Sequence, residues 1–355
     1  MKLLDRYIGA TILKSCLVVA LILLSIFAFI ELIQQLDDVD KGNFQTGDAF
    51  HYVLFSLPAR LLDMAPIVAL LGTVIGLGLL NRNSELIAMR ASGISLRRIV
   101  LAVLKTATLL MLAALLMAQY LAPPAQQTAE RERALAIARG GDILGEEGYW
   151  TRDKGRYLNI RQLRLGRIPA DISLFEFDQQ GALHRYLHAR EAEMKTHRSW
   201  ILKDVVIKRV TETEIATTRQ AELEWQPPPA ITDFGRFELP ARSLALTSLY
   251  QYVAYLRAAG ENTRRFEILF WQKVMGAVSI VALMLLAVPF AFGSLRSASF
   301  GLRLVLGVVA GLLYLLANQL LGNLALLVGL NAALAATAPV AAATVIALLL
   351  LRRVR

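Results

Sequence analysis

The run Asn83-Ser84-Glu85-Leu86-Ile87-Ala88-Met89-Arg90-Ala91-Ser92-Gly93-Ile94-Ser95 puts an acid, a base and large apolar side chains between its own start and stop signals. Asn83 or Ser84 is placed to cap a helix by accepting backbone N–H groups, and Glu85 suits the positive end of the dipole. Gly93 supplies the left-handed conformation that ends it. At about 100° per residue, Leu86, Ile87, Met89, Ala91 and Ile94 share one side with Arg90 among them. Two readings fit a helix too short to span a membrane: an acid-led docking element for a partner's groove, or a loop helix resting on the bilayer surface.

A second set of residues is basic. Lys41, Arg60, Arg131, Arg133 and Lys273 could line a site for a phosphorylated lipid, because phosphate oxygens pair well with guanidinium and ammonium groups. A plainer reading stands beside it: Arg60 and Asp63 are three apart and could pair on one helix face, and Lys273 next to Trp271 could anchor a membrane interface. Other chemistry is missing. There is no G-x-x-x-x-G-K-[ST] phosphate loop and no G-x-S-x-G elbow, so neither nucleotide binding of that kind nor serine hydrolysis is expected. His184 and His188 share a strand face without a third ligand, and Glu191 and Glu193 read as solvated carboxylates. No metal site and no cofactor are expected, and the lone Cys16 rules out an internal disulfide.

These residues are positioned by membrane spans. The 355 residues are 56% hydrophobic with mean hydropathy +0.50, which points to a membrane protein with a sizeable soluble part. Six stretches suit a hydrocarbon core of about 30 Å. They run roughly Ile12 to Leu36, Val53 to Leu80, Ile99 to Ala122, Val274 to Phe292, Leu304 to Leu321 and Leu330 to Leu351. Between the third and fourth lies a polar stretch of domain length, nearly balanced in charge, so the net +10 belongs to the short loops and nucleic-acid binding explains it poorly.

Lys2, Arg6, Lys14, the cluster from Arg82 to Lys105, Arg296, Arg303 and the final arginines all fall on one side of the spans. Basic loops stay cytoplasmic, so both termini and the docking helix are expected inside and the polar domain outside. The first span reads as retained, with no small-residue cleavage site after it. Alternation from Tyr149 to about Glu224 gives a mostly β domain, with Ile172, Leu174 and Glu176 opposed to Ser173, Phe175 and Phe177. A single flat layer cannot bury both faces, so a sandwich, a jelly roll or an open barrel is expected. Gly72-x-x-x-Gly76 and Gly307-x-x-x-Gly311 signal close helix packing, either within the chain or between subunits.

Leu4-Asp5-Arg6-Tyr7-Ile8-Gly9, Ser84 to Gly93, Phe292-Gly293-Ser294-Leu295-Arg296-Ser297 and the three-plus-three layout together resemble the lipopolysaccharide export permeases of the LptF/LptG family. The resemblance covers essentially the whole chain. It implies an α-helical membrane protein with six transmembrane helices, three plus three, and an inserted periplasmic all-β jellyroll-like domain. The domains would be 1–123 with a coupling helix at 84–95, the β domain at 124–262, and 263–355. It further implies a subunit of an ABC exporter in the inner membrane of a Gram-negative cell, paired with an LptF-like paralogous permease over an LptB-like ATPase dimer. Lipopolysaccharide would pass to an LptC-like periplasmic protein. Carried over, Glu85 is the coupling acid, with Leu86, Ile87 and Met89 filling the ATPase groove beside Arg90. The family also has bases at the outer ends of the first two spans, where this sequence has Asp37 and Asp38 with only Lys41 and Arg60 basic nearby. Rival readings are a permease for another lipid or a lipoprotein, a membrane-anchored scaffold, and a lipid-modifying enzyme, for which no convincing catalytic constellation is seen.

Overall fold

The computed structural model describes residues 3–39, 41, 43–137, 148–153, 155–164, 168–178, 181–196, 199–210, 215–226, 241–258, 262–292 and 300–353. Helix α1 spans Leu3–Leu36, α2 Thr46–Arg82, α3 Glu85–Ala91 and α4 Leu96–Leu116; α5, Ala122–Ile137, follows a π-helical turn at Met117–Leu121. Strands β1 to β6 are Tyr149–Asp153, Arg156–Arg164, Ile168–Phe177, Leu183–Thr196, Ser199–Val210 and Ile215–Trp225. Helices α6 (Leu246–Ala258), α7 (Arg264–Phe292), α8 (Phe300–Val328) and α9 (Ala332–Arg353) follow among the described residues. Among the described residues six helices are long and apolar enough to cross a membrane: α1, α2, α4 running on into α5, α7, α8 and α9. The expected three-plus-three layout around an inserted antiparallel β domain is therefore what the chain adopts.

Two compact units emerge, one of Met1–Glu31, Leu54–Gln126 and Ala241–Arg355, the other of Leu32–Val53 and Gln127–Pro240. In the helical unit α7 is the central element. Its residues from Ala282 to Val288 are all buried, as expected of a helix that is apolar on every side. Both glycine ridges serve packing inside this one chain. A Cβ on Gly72 would collide with Cys16, reaching its Cα at 2.6 Å, and one on Gly76 would lie 3.1 Å from Ile12 Cα. Gly307 and Gly311 of α8 lie on the α2 side chains Leu71, Val74, Ile67 and Leu70. Small residues thus let α1 approach α2 backbone to backbone and seat α8 against α2.

The π turn in the third span precedes Pro123 and Pro124, which remove two backbone donors that a regular helix would use. Gln119 within the turn donates to Thr247 Oγ1 at 2.7 Å and accepts from the Thr247 N–H at 3.3 Å, tying it to α6.

In the other unit each strand pairs antiparallel with its neighbours in sequence, giving one six-stranded sheet in the order β1 to β6. Leu158, Ile160, Ile172, Leu174, Leu187, Ala189, Trp200, Leu202, Val205 and Ile207 form its core. The expected faces of β3 hold, with Ile172 and Leu174 buried and Phe175 and Phe177 on the opposite side.

A flat layer could not cover that core, and two of its long strands change phase part-way along. Asp171, Arg190 and Asp204 stand in a row across β3, β4 and β5, flanked by the pairs Ala170–Glu191, Ile172–Ala189, Ala189–Val205 and Glu191–Lys203. Asp171 and Asp204 have φ of 52° and 53°, a left-handed conformation that aspartate tolerates better than most residues. At this crease β5 changes phase, burying Trp200 and Leu202 before it and Val205 and Ile207 after it. β4 does the same, burying Leu187 and Ala189, then Ala192. Both halves of these long strands therefore direct apolar side chains into one core.

Candidate functional site

Helix α3 is held by its C-terminal end. The Gly93 N–H donates to Arg90 O at 3.0 Å and the Ile94 N–H to Met89 O at 3.1 Å, a Schellman arrangement that needs the positive φ of 83° at Gly93. The expected cap at the other end is not made. Ser84 takes a left-handed φ of 59° with no side-chain hydrogen bond to the helix, and Asn83 Nδ2 donates instead to Glu85 Oε1 at 3.2 Å. Tyr7 of α1 donates its hydroxyl to Glu85 Oε2 at 2.6 Å, so both carboxylate oxygens are oriented from within the chain.

The apolar stripe divides. Leu86 is 1% exposed and Met89 packs partly buried beside it, both against the core shared by α1, α2 and α4. Their helical spacing of three turns them inwards together. Ile87, 44% exposed, and Arg90 remain on the outer surface with half-exposed Glu85. One further group here lacked any signal in span patterning. Asp5 is fully buried and accepts from Arg98 Nη2 at 2.7 Å and Lys105 Nζ at 2.6 Å, both on α4. Its partners lie more than 90 residues away, so local sequence gave no hint of the pairing.

The five bases fall into two separate groups, one in each unit. In the helical unit Arg60 Nη2 donates to the nearly buried Glu31 at 3.1 Å, while Asp63, its expected partner, is farther at 3.9 Å. The Arg60 guanidinium also lies 4.8 Å from the Phe27 ring centroid, and its buried Nε has no hydrogen-bond partner among the described residues. Lys273 donates to the Leu244 carbonyl at 2.6 Å. In the other unit Asp38 accepts from Lys41 Nζ at 2.7 Å and from Arg133, whose Nε also donates to Gln35 at 2.8 Å. These two cations hold the Asp38 carboxyl below the usual aspartate range, the Lys41 hydrogen bond most strongly. Arg131 lies on α5, and its side chain falls outside the described residues, as do Gly293 to Ser297 of the third motif. His188 is 3.6 Å from Asp171, and Glu193 is bridged to Lys203 at 2.6 Å.

The profile of the family described as lipopolysaccharide export system permease LptF/LptG matches residues 6–353. The chain belongs to the LptF/LptG family. It is 33% identical over 337 residues to the lipopolysaccharide export system permease protein LptG of Haemophilus influenzae, covering 95% of this chain and 94% of that one. To the LptG protein of Escherichia coli K12 it is 30% identical over 352 residues, 99% and 98% of the two chains. This LptF/LptG chain is thus a permease subunit of lipopolysaccharide export, a transport component and a multi-pass inner-membrane protein.

Proposed function

We propose that this permease forms one wall of a lipid path driven by a separate LptB-like ATPase, paired with an LptF-like paralogue and delivering lipopolysaccharide to an LptC-like periplasmic protein. Both termini and α3 face the cytoplasm and the β domain faces the periplasm, since the bases gather at the loops on the α3 side. The working divisions are 1–123, 124–262 and 263–355.

One observation carries this reading: the first and fifth spans are the least covered by their own chain. Of their most apolar windows 22% and 17% are buried, against 67% for α7 and 61% for α2. Helices α1 and α8 therefore have long apolar flanks left for a partner permease or for acyl chains, as gates of a laterally open cavity would need. Lipopolysaccharide enters between them with its phosphates near Arg60 and Lys273 of the helical unit, while Lys41, Arg131 and Arg133 of the other unit form a separate set of candidate lipid contacts. The Arg60 side chain keeps 30% of its surface exposed beside Glu31, which supports a role in holding a phosphate oxygen. ATP-driven closure of the ATPase dimer moves α3 through Glu85, Ile87 and Arg90, with Leu86 and Met89 transmitting the displacement to the core. The cavity narrows and the lipid is expelled toward the β domain.

Purification of the chain from native membrane in mild detergent, with mass spectrometry of bound subunits and lipid, tests this. A second permease, an ATPase and lipopolysaccharide are expected together, and Glu85→Ala should reduce ATPase recovery. Lipid release from vesicles that proceeds without any ATPase would overturn the reading.

A further inference from the structure

The motif at the start of α1 lies far from α3 in sequence, yet it meets both α3 and α4. Asp5, Ile8, Gly9 and Ile12 recur at helical spacing on one face. Asp5 is gripped by Arg98 and Lys105, and Ile8 and Ile12 are fully buried. A Cβ on Gly9 would stand 2.8 Å from Thr106 Oγ1, closer than carbon contacts allow. Asp5 and Gly9 thus fix the first turns of α1 on α4, and Ile12 seats the next turn on α2. Tyr7 lies between Asp5 and Gly9, 48% exposed, and its hydroxyl reaches Glu85.

A half-exposed glutamate ordinarily samples many rotamers and loses that freedom when it binds. The missing side-chain cap at Ser84 removes one local means of ordering the first turn of α3. The Tyr7 hydroxyl supplies order from outside the helix, on a base anchored by a buried acid. A carboxylate has about four acceptor positions, so the bonds from Tyr7 and Asn83 leave capacity on both oxygens for a cationic donor.

We propose that Tyr7 is a positioning residue that sets the Glu85 carboxylate for capture by a basic side chain of the ATPase. This rests on the docking role given to α3 above. Tyr7→Phe removes the hydroxyl and keeps the ring. In the full assembled permease pair, titrated with ATPase, it should weaken binding about five- to tenfold, with tenfold equal to about 1.4 kcal/mol. The thermal unfolding midpoint should stay unchanged. In a Glu85→Ala background the same substitution should add nothing, because the carboxylate it orients is gone. Unchanged binding by Tyr7→Phe where Glu85→Ala is weak overturns the inference alone. So does tighter binding, which would make Tyr7 a competitor of the ATPase, and so does an equal loss in both backgrounds. Parental binding by Glu85→Ala itself removes the docking role, and the inference with it.

Discussion

Arg60 of α2 reaches across to Glu31 of α1 at 3.1 Å, pairing a guanidinium with an acid that is nearly excluded from solvent. Removing the guanidinium takes away one of the groups that offset the burial of Glu31, so Arg60→Ala should destabilise the helical unit by about 1–3 kcal/mol. Glu31→Gln keeps an acceptor and should cost less, and it releases Arg60 from a competing carboxylate. Photocrosslinking should therefore recover more lipopolysaccharide from Glu31→Gln and less from Arg60→Glu. Equal yields from both would remove Arg60 from the lipid path.

Asp38 gives a prediction in pH. Its carboxyl is lowered from the usual value of 3.8 by Lys41 and Arg133, so the folded chain holds it ionised more firmly than the unfolded chain does. Such a group stabilises fully above its unfolded value, and the contribution is lost as pH falls through the lower folded one. Amide exchange near Asp38 and Arg133 should be protected from neutral pH down to about pH 5 and rise below about pH 4, beyond the intrinsic pH dependence of exchange. Asp38→Asn should raise exchange even at neutral pH. If it does not, the clasp does not order this segment.

The α1–α2 crossing is tight at both Gly72 and Gly76, whereas Gly276 of α7 faces open space. Gly72→Ala would drive a methyl into the Cys16 backbone, and overpacking of this kind costs about 1–3 kcal/mol or more where backbone must move. Gly276→Ala, with nothing within 4 Å of the new methyl, is the control and should leave the unfolding midpoint in detergent unchanged or raised.

The crease residues make the opposite case, where glycine is the better residue. Asp204→Gly suits a φ of 53° and should be close to neutral, whereas Asp204→Val should cost about 1–2 kcal/mol. Exchange of the β4 and β5 amides in the intact chain reads the difference. Matching behaviour of the two variants would show that the left-handed position is not a constraint.

The spans, the β alternation and the α3 segment were legible because each rests on a local pattern of hydrophobicity or on a turn residue. Gly93 was legible for the same reason, since a left-handed stop has few substitutes. The inward turn of Leu86 and Met89 was not, because a helical wheel shows which residues share a side and not which side meets the core. Nor was the pairing of Arg60 with Glu31 in preference to Asp63. Sequence spacing favours the neighbour three residues away, and only the packing of α1 on α2 brings the other acid closer. Lys41 and Arg133 likewise read as free bases until folding brought them to one aspartate.

The sequential order of the six strands bears on how the molecule is made. Among the described strands none waits for a distant segment before finding its partner, so the sheet can grow hairpin by hairpin as the polypeptide emerges, with low contact order. An insertion built this way can mature on its own schedule, while the helices on either side of it are still being threaded into the bilayer.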